Sequence, residues 1–117
     1  MKKTRMLKKN YEFKNVLSKG KYYSANNIEA FIVENKYDFN LLGLAISTKI
    51  GKAVKRNMIK RLIKESYRNL ENSIKKGYSI IFLWKKKVDI KNAEYKKIVD
   101  DMYYIFDKAK MLEKEDI

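Results

Sequence analysis

The chain has 117 residues, 45% of them hydrophobic, which predicts one domain with one modest core and excludes wholesale disorder. Its 28 Lys and Arg against 14 Asp and Glu leave a formal net charge of +14, a self-repulsion that a polyanion would relieve, and the usual polyanion is nucleic acid. Cysteine and histidine are both absent, which excludes disulfides, the common zinc sites and imidazole-based general-base or nucleophilic catalysis.

The first ten residues, MKKTRMLKKN, are basic and lack the apolar segment of a signal peptide, and no apolar run reaches membrane-spanning length; a cytoplasmic address is the expectation. A first helix is predicted from Asn10, a favourable N-cap, with Glu12 in its first turn, Phe13, Val16 and Leu17 on one face, and Gly20 at its end. Residues 28–33 and 41–46 read as strands, with the polar stretch 35–40 as a hairpin connection. A short extra strand near Tyr22-Tyr23 is also compatible with the sequence. A polar link over 47–52, containing Gly51, leads into a long helix over about 53–73, and Gly77 stops it. Residues 78–84 form a strand of the buried type, with Lys85-Lys86-Lys87 at its exposed end. A last helix is predicted over about 92–112, where Tyr95, Ile98, Val99, Met102, Ile105, Phe106 and Ala109 keep helical spacing; residues 113–117 are expected to fray. The adjacent acids Asp100 and Asp101 diverge by about 100° on that helix, so they read as a surface pair and not as a metal site. The predicted class is α+β, in the order α-β-β-α-β-α, with helices on one small sheet in a single domain.

The long basic helix is the informative stretch. Taking Arg56 as origin, Lys60 falls at about 40°, Lys64 at about 80°, Asn57 at about 100°, Arg68 at about 120° and Arg61 at about 140°. Val54, Met58, Leu62, Ser66, Ile59, Leu70 and Ile63 fill the arc from roughly 160° to roughly 340°, so one face is predicted to pack on the sheet and the other to form a positive ridge. Lys55 breaks this pattern near the helix start. Arg56, Lys60 and Lys64 make a row about 12 Å long that can follow neighbouring phosphates. Arg grips phosphate oxygens in bidentate fashion, and Asn57 can hydrogen-bond a ribose hydroxyl or a base edge. A solvated helix face carries the same kind of charge run, so the pattern by itself leaves both readings open.

Residues 49–68 resemble the signature of the bacterial ribonuclease P protein component: a loop lysine, Lys49, then Ala53-Val54, Arg56-Asn57 and Lys60-Arg61 in one amphipathic helix, with Lys64 where the family often has arginine. The resemblance extends to Leu7-Lys8-Lys9-Asn10, Phe13, Gly20 and Gly43-Leu44-Ala45-Ile46-Ser47. It implies an RNA-binding subunit of an endoribonuclease whose catalytic centre lies in the RNA, so the protein alone is expected to be inactive and to hold no catalytic residue. The implied partners are the ribonuclease P RNA and precursor tRNA, with neither membrane nor DNA. The implied activity is removal of the 5′ leader, with Mg2+ required by the RNA-containing holoenzyme and no covalently bound cofactor. The implied RNA-binding residues are Lys49, Lys52, Arg56, Asn57, Lys60, Arg61, Lys64 and Arg68. A leader-binding cleft is implied at Phe13, Leu17 and Phe31, although spacing alone reads Phe13 and Leu17 as core. No metal ligands are assigned. A left-handed βαβ crossover, against the usual preference, is also implied.

Two other classes compete. A non-enzymatic RNA-binding module such as a ribosomal protein would share the basic helix. A helix-turn-helix DNA-binding protein needs short helices before its recognition helix, whereas strand candidates precede this one. A membrane-surface helix is disfavoured because the apolar arc is needed to cover the sheet.

Overall fold

The computed structural model describes residues 3–113. Within them the chain runs β1 (Thr4–Met6), α1 (Asn10–Lys19), β2 (Lys21–Ser24), β3 (Ile28–Glu34), β4 (Asn40–Leu44), α2 (Ala53–Leu70), β5 (Tyr78–Trp84) and α3 (Tyr95–Lys108). The α+β class stands, but the order α-β-β-α-β-α omits two short edge strands. One, β2, is the short extra strand expected near Tyr22-Tyr23; the other, β1, is unexpected and lies within the basic N-terminal segment, where charges mask the strand pattern.

The five strands form one sheet in the order β1-β4-β5-β3-β2. β3 and β4 therefore do not form the expected hairpin: β5 lies between them, antiparallel to β3 and parallel to β4. The physical reason lies in β5 itself. Ile80, Ile81, Phe82 and Trp84 are all buried, so this strand is apolar on both faces and belongs in the middle of a sheet covered on both sides.

Strand alternation sorts the covering layers. Ile28, Ala30, Ile32, Leu42, Ile80, Phe82 and Trp84 meet α2 and α3 through Ile59, Ile63, Tyr67, Leu70, Ile98, Met102, Ile105 and Phe106. On the other face α1 packs through Val16 against Leu7 and Ile81. The α1 start is held by the Glu12 carboxylate, which accepts from the Lys9 N–H at 3.1 Å, so Lys9 is the cap and Asn10 the first helical residue. Gly20 ends α1 in an extended conformation (φ −71°), not a left-handed one. Its lack of a side chain serves close approach, since a Cβ there would lie 2.5 Å from the Val16 carbonyl oxygen.

α2 stops at Leu70 and passes into a short 3-10 turn, Glu71–Ser73. α3 is shorter than its apolar periodicity suggests. Ile90–Asn92 forms a separate 3-10 turn before it. Its C-terminus closes when Met111 N–H donates to Phe106 C=O at 2.9 Å and Lys110 N–H to Asp107 C=O at 3.1 Å, with Lys110 left-handed at φ 59°. The chain then returns, bridging Leu112 to Ile74, and Glu113 N–H donates to Ser73 C=O at 2.8 Å. Glu113 is thus anchored, and the remainder of the expected frayed tail, 114–117, lies outside the described residues.

Candidate nucleic-acid interface

The predicted ridge forms, but α2 is rolled relative to the sequence reading. Val54, expected on the apolar arc, is 81% exposed, while Tyr67, which falls at about 20° beside the basic arc, is fully buried. A tyrosine can be buried there because its hydroxyl finds partners: it lies 2.5 Å from Thr4 Oγ1 and accepts from Asn40 Nδ2 at 3.3 Å. Asn40 Nδ2 also donates to Lys75 C=O at 3.1 Å, and its Oδ1 accepts from Tyr78 N–H at 2.9 Å. This network joins β1, β4, α2 and β5, and no local pattern in the sequence points to it. Burial pushes the Tyr67 hydroxyl pKa up, opposed by its bonds to Thr4 and Asn40.

The roll sorts the predicted RNA-binding side chains into two rows. Asn57, Arg61 and Arg68 are exposed along the middle of the outer face; Arg56, Lys60 and Lys64 are half-buried along its border. Arg56 is partly engaged within the fold, donating from Nη1 to the Gly51 carbonyl at 2.6 Å and so tying the helix to its entry loop. Lys49 and Lys52 are both exposed in that loop, where Ser47 Oγ accepts from Lys49 N–H at 3.2 Å and sets a 3-10 turn over Thr48–Ile50. The first turn of α2 carries no acidic residue, so its free amides and partial positive charge reinforce the lysines. Among the described residues the ion pairs join Lys91 to Asp89 and Lys97 to Glu94, and neither involves α2. Among the described residues the ridge charge is therefore not neutralised by an acid in an ion pair.

The α1 face holds the second predicted surface. Strand register aligns Tyr22, Phe31, Ile81 and Gly43 across four strands. Phe13 lies over Gly43 so closely that a Cβ there would be 2.7 Å from Phe13 Cε1 and 2.9 Å from Leu7 Cδ1. Phe13 and Phe31 thus share one half-buried apolar row, with Tyr22 tilted against Phe31 at a ring separation of 5.3 Å. Leu17 does not join that cluster; it stands 39% exposed on α1. Beside the row is an open cleft of about 300 Å³ lined by Glu29, Ala45, Ser47, Leu83 and Lys85 to Lys87. The sequence reading placed none of these in a site, although the lysine triplet at a strand end was a usable signal. Glu29 accepts a hydrogen bond from the Tyr22 hydroxyl, and that carboxylate is the main cause raising the Tyr22 pKa.

Asp101 departs from its expected place on the surface. It is buried, and its carboxylate accepts the Asn27 N–H at 2.7 Å, holding the β2–β3 turn. Among the described residues no three acidic side chains converge as a metal site would require.

A family model described as Ribonuclease P matches residues 1–110. The chain belongs to the ribonuclease P protein family. The ribonuclease P protein component of Clostridium botulinum (strain 657 / Type Ba4) is 40% identical over 108 residues, covering 92% of this chain and 96% of the relative. That of Clostridioides difficile (strain 630) is 40% identical over 97 residues, covering 82% and 83%. The Staphylococcus aureus RNase P protein structure superposes with a TM-score of 0.80 at 28% identity, covering 92% of this chain and 97% of that one. The Thermotoga maritima protein, at 23% identity and a TM-score of 0.80 over 89% and 96% of the two chains, bears on the fold alone. The resemblance read from residues 49–68 and the α+β class are both borne out.

Proposed function

We propose that this chain is the protein subunit of ribonuclease P, and that α2 binds the catalytic RNA while the α1 face binds the 5′ leader of precursor tRNA. The observation that carries the reading is the row of α2 cations that form no ion pair among the described residues, in a chain of formal net charge +14 that belongs to this family. Lys49, Lys52, Lys60 and Lys64 supply point charges along the phosphate path, and Arg56, Arg61 and Arg68 supply planar donors for phosphate oxygens. Asn57 offers an amide to a ribose hydroxyl or base edge. Phe13 and Phe31 present aromatic surface to leader bases, and Leu17 adds an apolar contact without a ring to stack.

Cleavage itself is assigned to the RNA. Mg2+ is required by the RNA-containing holoenzyme, and no metal ligand is assigned to the protein, which has neither histidine nor cysteine. The protein's part is to neutralise phosphate repulsion between catalytic RNA and substrate, which lowers the divalent-ion concentration that assembly needs. The expected place of action is the cytoplasm; no described helix is long and apolar enough to cross a membrane.

Reconstitution with ribonuclease P RNA tests the proposal. The chain is expected to restore precursor tRNA cleavage at low magnesium and to show no nuclease activity alone. A chain that binds the RNA yet never stimulates cleavage would instead be a plain RNA-binding module. Phe13→Ala and Phe31→Ala are expected to weaken precursor more than mature tRNA binding.

A further inference from the structure

The β1 edge of the sheet carries an aromatic stack that neither the ridge nor the Phe13–Phe31 row uses. The Arg5 guanidinium lies over the Phe39 ring, 4.2 Å from its centre. Tyr37 stacks on the same ring, with centres 4.8 Å apart and planes inclined by 13°. Two groups at such distances cannot share one face of a ring, so the order is Arg5, Phe39, Tyr37. Both ends are open to solvent, Tyr37 being 56% exposed. Beside the stack is a cleft of about 570 Å³ to which Arg5, Lys8, Tyr37, Phe39 and Leu41 contribute, ample for one nucleotide base. Glu12, the carboxylate on that cleft, is engaged by the Lys9 N–H. Lys36 flanks Tyr37 on one side and the exposed Asp38 on the other.

An exposed planar stack ending in a guanidinium, within a basic surround, suits an unpaired base, because every base offers a π-face and a phosphate beside it. Placement selects the RNA. Arg5 pairs in register with Leu41, and its neighbour Thr4, on the other side of the strand, meets Tyr67 of α2. Arg68, at the C-terminal end of the ridge, follows Tyr67 directly. The helix that carries the ridge and the stack thus lie on the two sides of one edge strand. The cleft beside Glu29 and Ala45 lies towards the other end of β4, and Leu41 to Ala45 spans about 13 Å along that strand. From this we infer that the stack of Arg5, Phe39 and Tyr37 receives an unpaired base of the ribonuclease P RNA, which reaches it by turning from the α2 ridge around β1. The inference rests on the reading of α2 as the RNA-binding face.

The test uses the reconstituted protein–RNA complex. Tyr37→Ala is expected to weaken binding of ribonuclease P RNA about 5- to 100-fold, and Tyr37→Phe by no more than about twofold, since the ring is kept. Photocrosslinking of the unsubstituted complex with bound precursor tRNA is expected to join the peptide containing Tyr37 to an unpaired nucleotide of the ribonuclease P RNA. A crosslink to the leader alone, or equal affinity for Tyr37→Ala and the parent, overturns the inference. If the parent binds and Arg61→Ala weakens it while Tyr37→Ala does not, the stack alone fails. If the parent does not bind the RNA, the reading of α2 fails and takes the stack with it. Should Tyr37→Ala melt far below the parent, the crosslink on the unsubstituted chain decides: a bond to ribonuclease P RNA supports the stack, and a bond to the leader alone overturns it.

Discussion

Arg56 and Arg61 share a helix and a charge but should answer differently to removal. Arg61 is exposed, and its truncation leaves no described contact broken, so Arg61→Ala should change stability by less than about 0.5 kcal/mol. Arg56 donates to the Gly51 carbonyl at 2.6 Å from a half-buried position. A hydrogen bond to a charged donor contributes roughly 1.5–3 kcal/mol when shielded, and partial exposure reduces that to about 1 kcal/mol. For a domain of this size that is a fall in Tm of about 3–6 °C. Both variants should weaken RNA binding by about one to two powers of ten, and each lost phosphate contact should flatten the slope of log K against log salt by about 0.7–0.9. Arg61→Lys should be intermediate if the guanidinium grips phosphate through both nitrogens and nearly silent if charge alone matters. Thermal melts of the free protein and RNA titrations over a salt series measure both quantities. Unchanged affinity and slope for Arg61→Ala would reduce the ridge to a solvated face, and an unchanged melt for Arg56→Ala would show that its bond to Gly51 does not hold the entry loop.

Three further outcomes follow from particular contacts. Gly43→Ala puts a methyl group 2.7 Å from Phe13 Cε1, so it should lower stability by about 1–3 kcal/mol and, by displacing that ring, weaken precursor binding; calorimetry with a precursor titration checks both. Lys110→Gly relieves a left-handed lysine at φ 59° and should raise stability by up to about 1 kcal/mol, part of the gain being offset by the freer unfolded chain; a denaturant midpoint that falls would contradict it. Tyr67 keeps its proton to higher pH in the folded chain than its ordinary 10.0, so its contribution is complete below pH 10 and is lost as pH rises through the folded value, and Tyr67→Phe should lose less stability than the parent between neutral and strongly alkaline pH.

Local pattern was enough for several features of this protein. Absence of histidine and cysteine, the net charge and the spacing of Arg56, Asn57, Lys60 and Arg61 are properties of the string of residues, and they carried the chemistry and the family. The spans of α1 and α2 were legible because helical periodicity and caps act within a few residues. Three things needed the tertiary structure. The place of β5 between β3 and β4 depends on pairing between residues 38 to 56 positions apart, which no local signal reports. The roll of α2 was decided by Tyr67, whose burial depends on Thr4 and Asn40 as partners; a helical wheel counts its hydroxyl as polar and so turns the apolar arc too far towards Val54. The stack of Arg5, Phe39 and Tyr37 joins an edge strand to a loop more than thirty residues away, and only the parallel register of β1 on β4 brings them together. Periodicity records which side of an element is apolar, whereas the partner that satisfies a buried hydroxyl or receives an exposed ring is set by the packing of the whole chain.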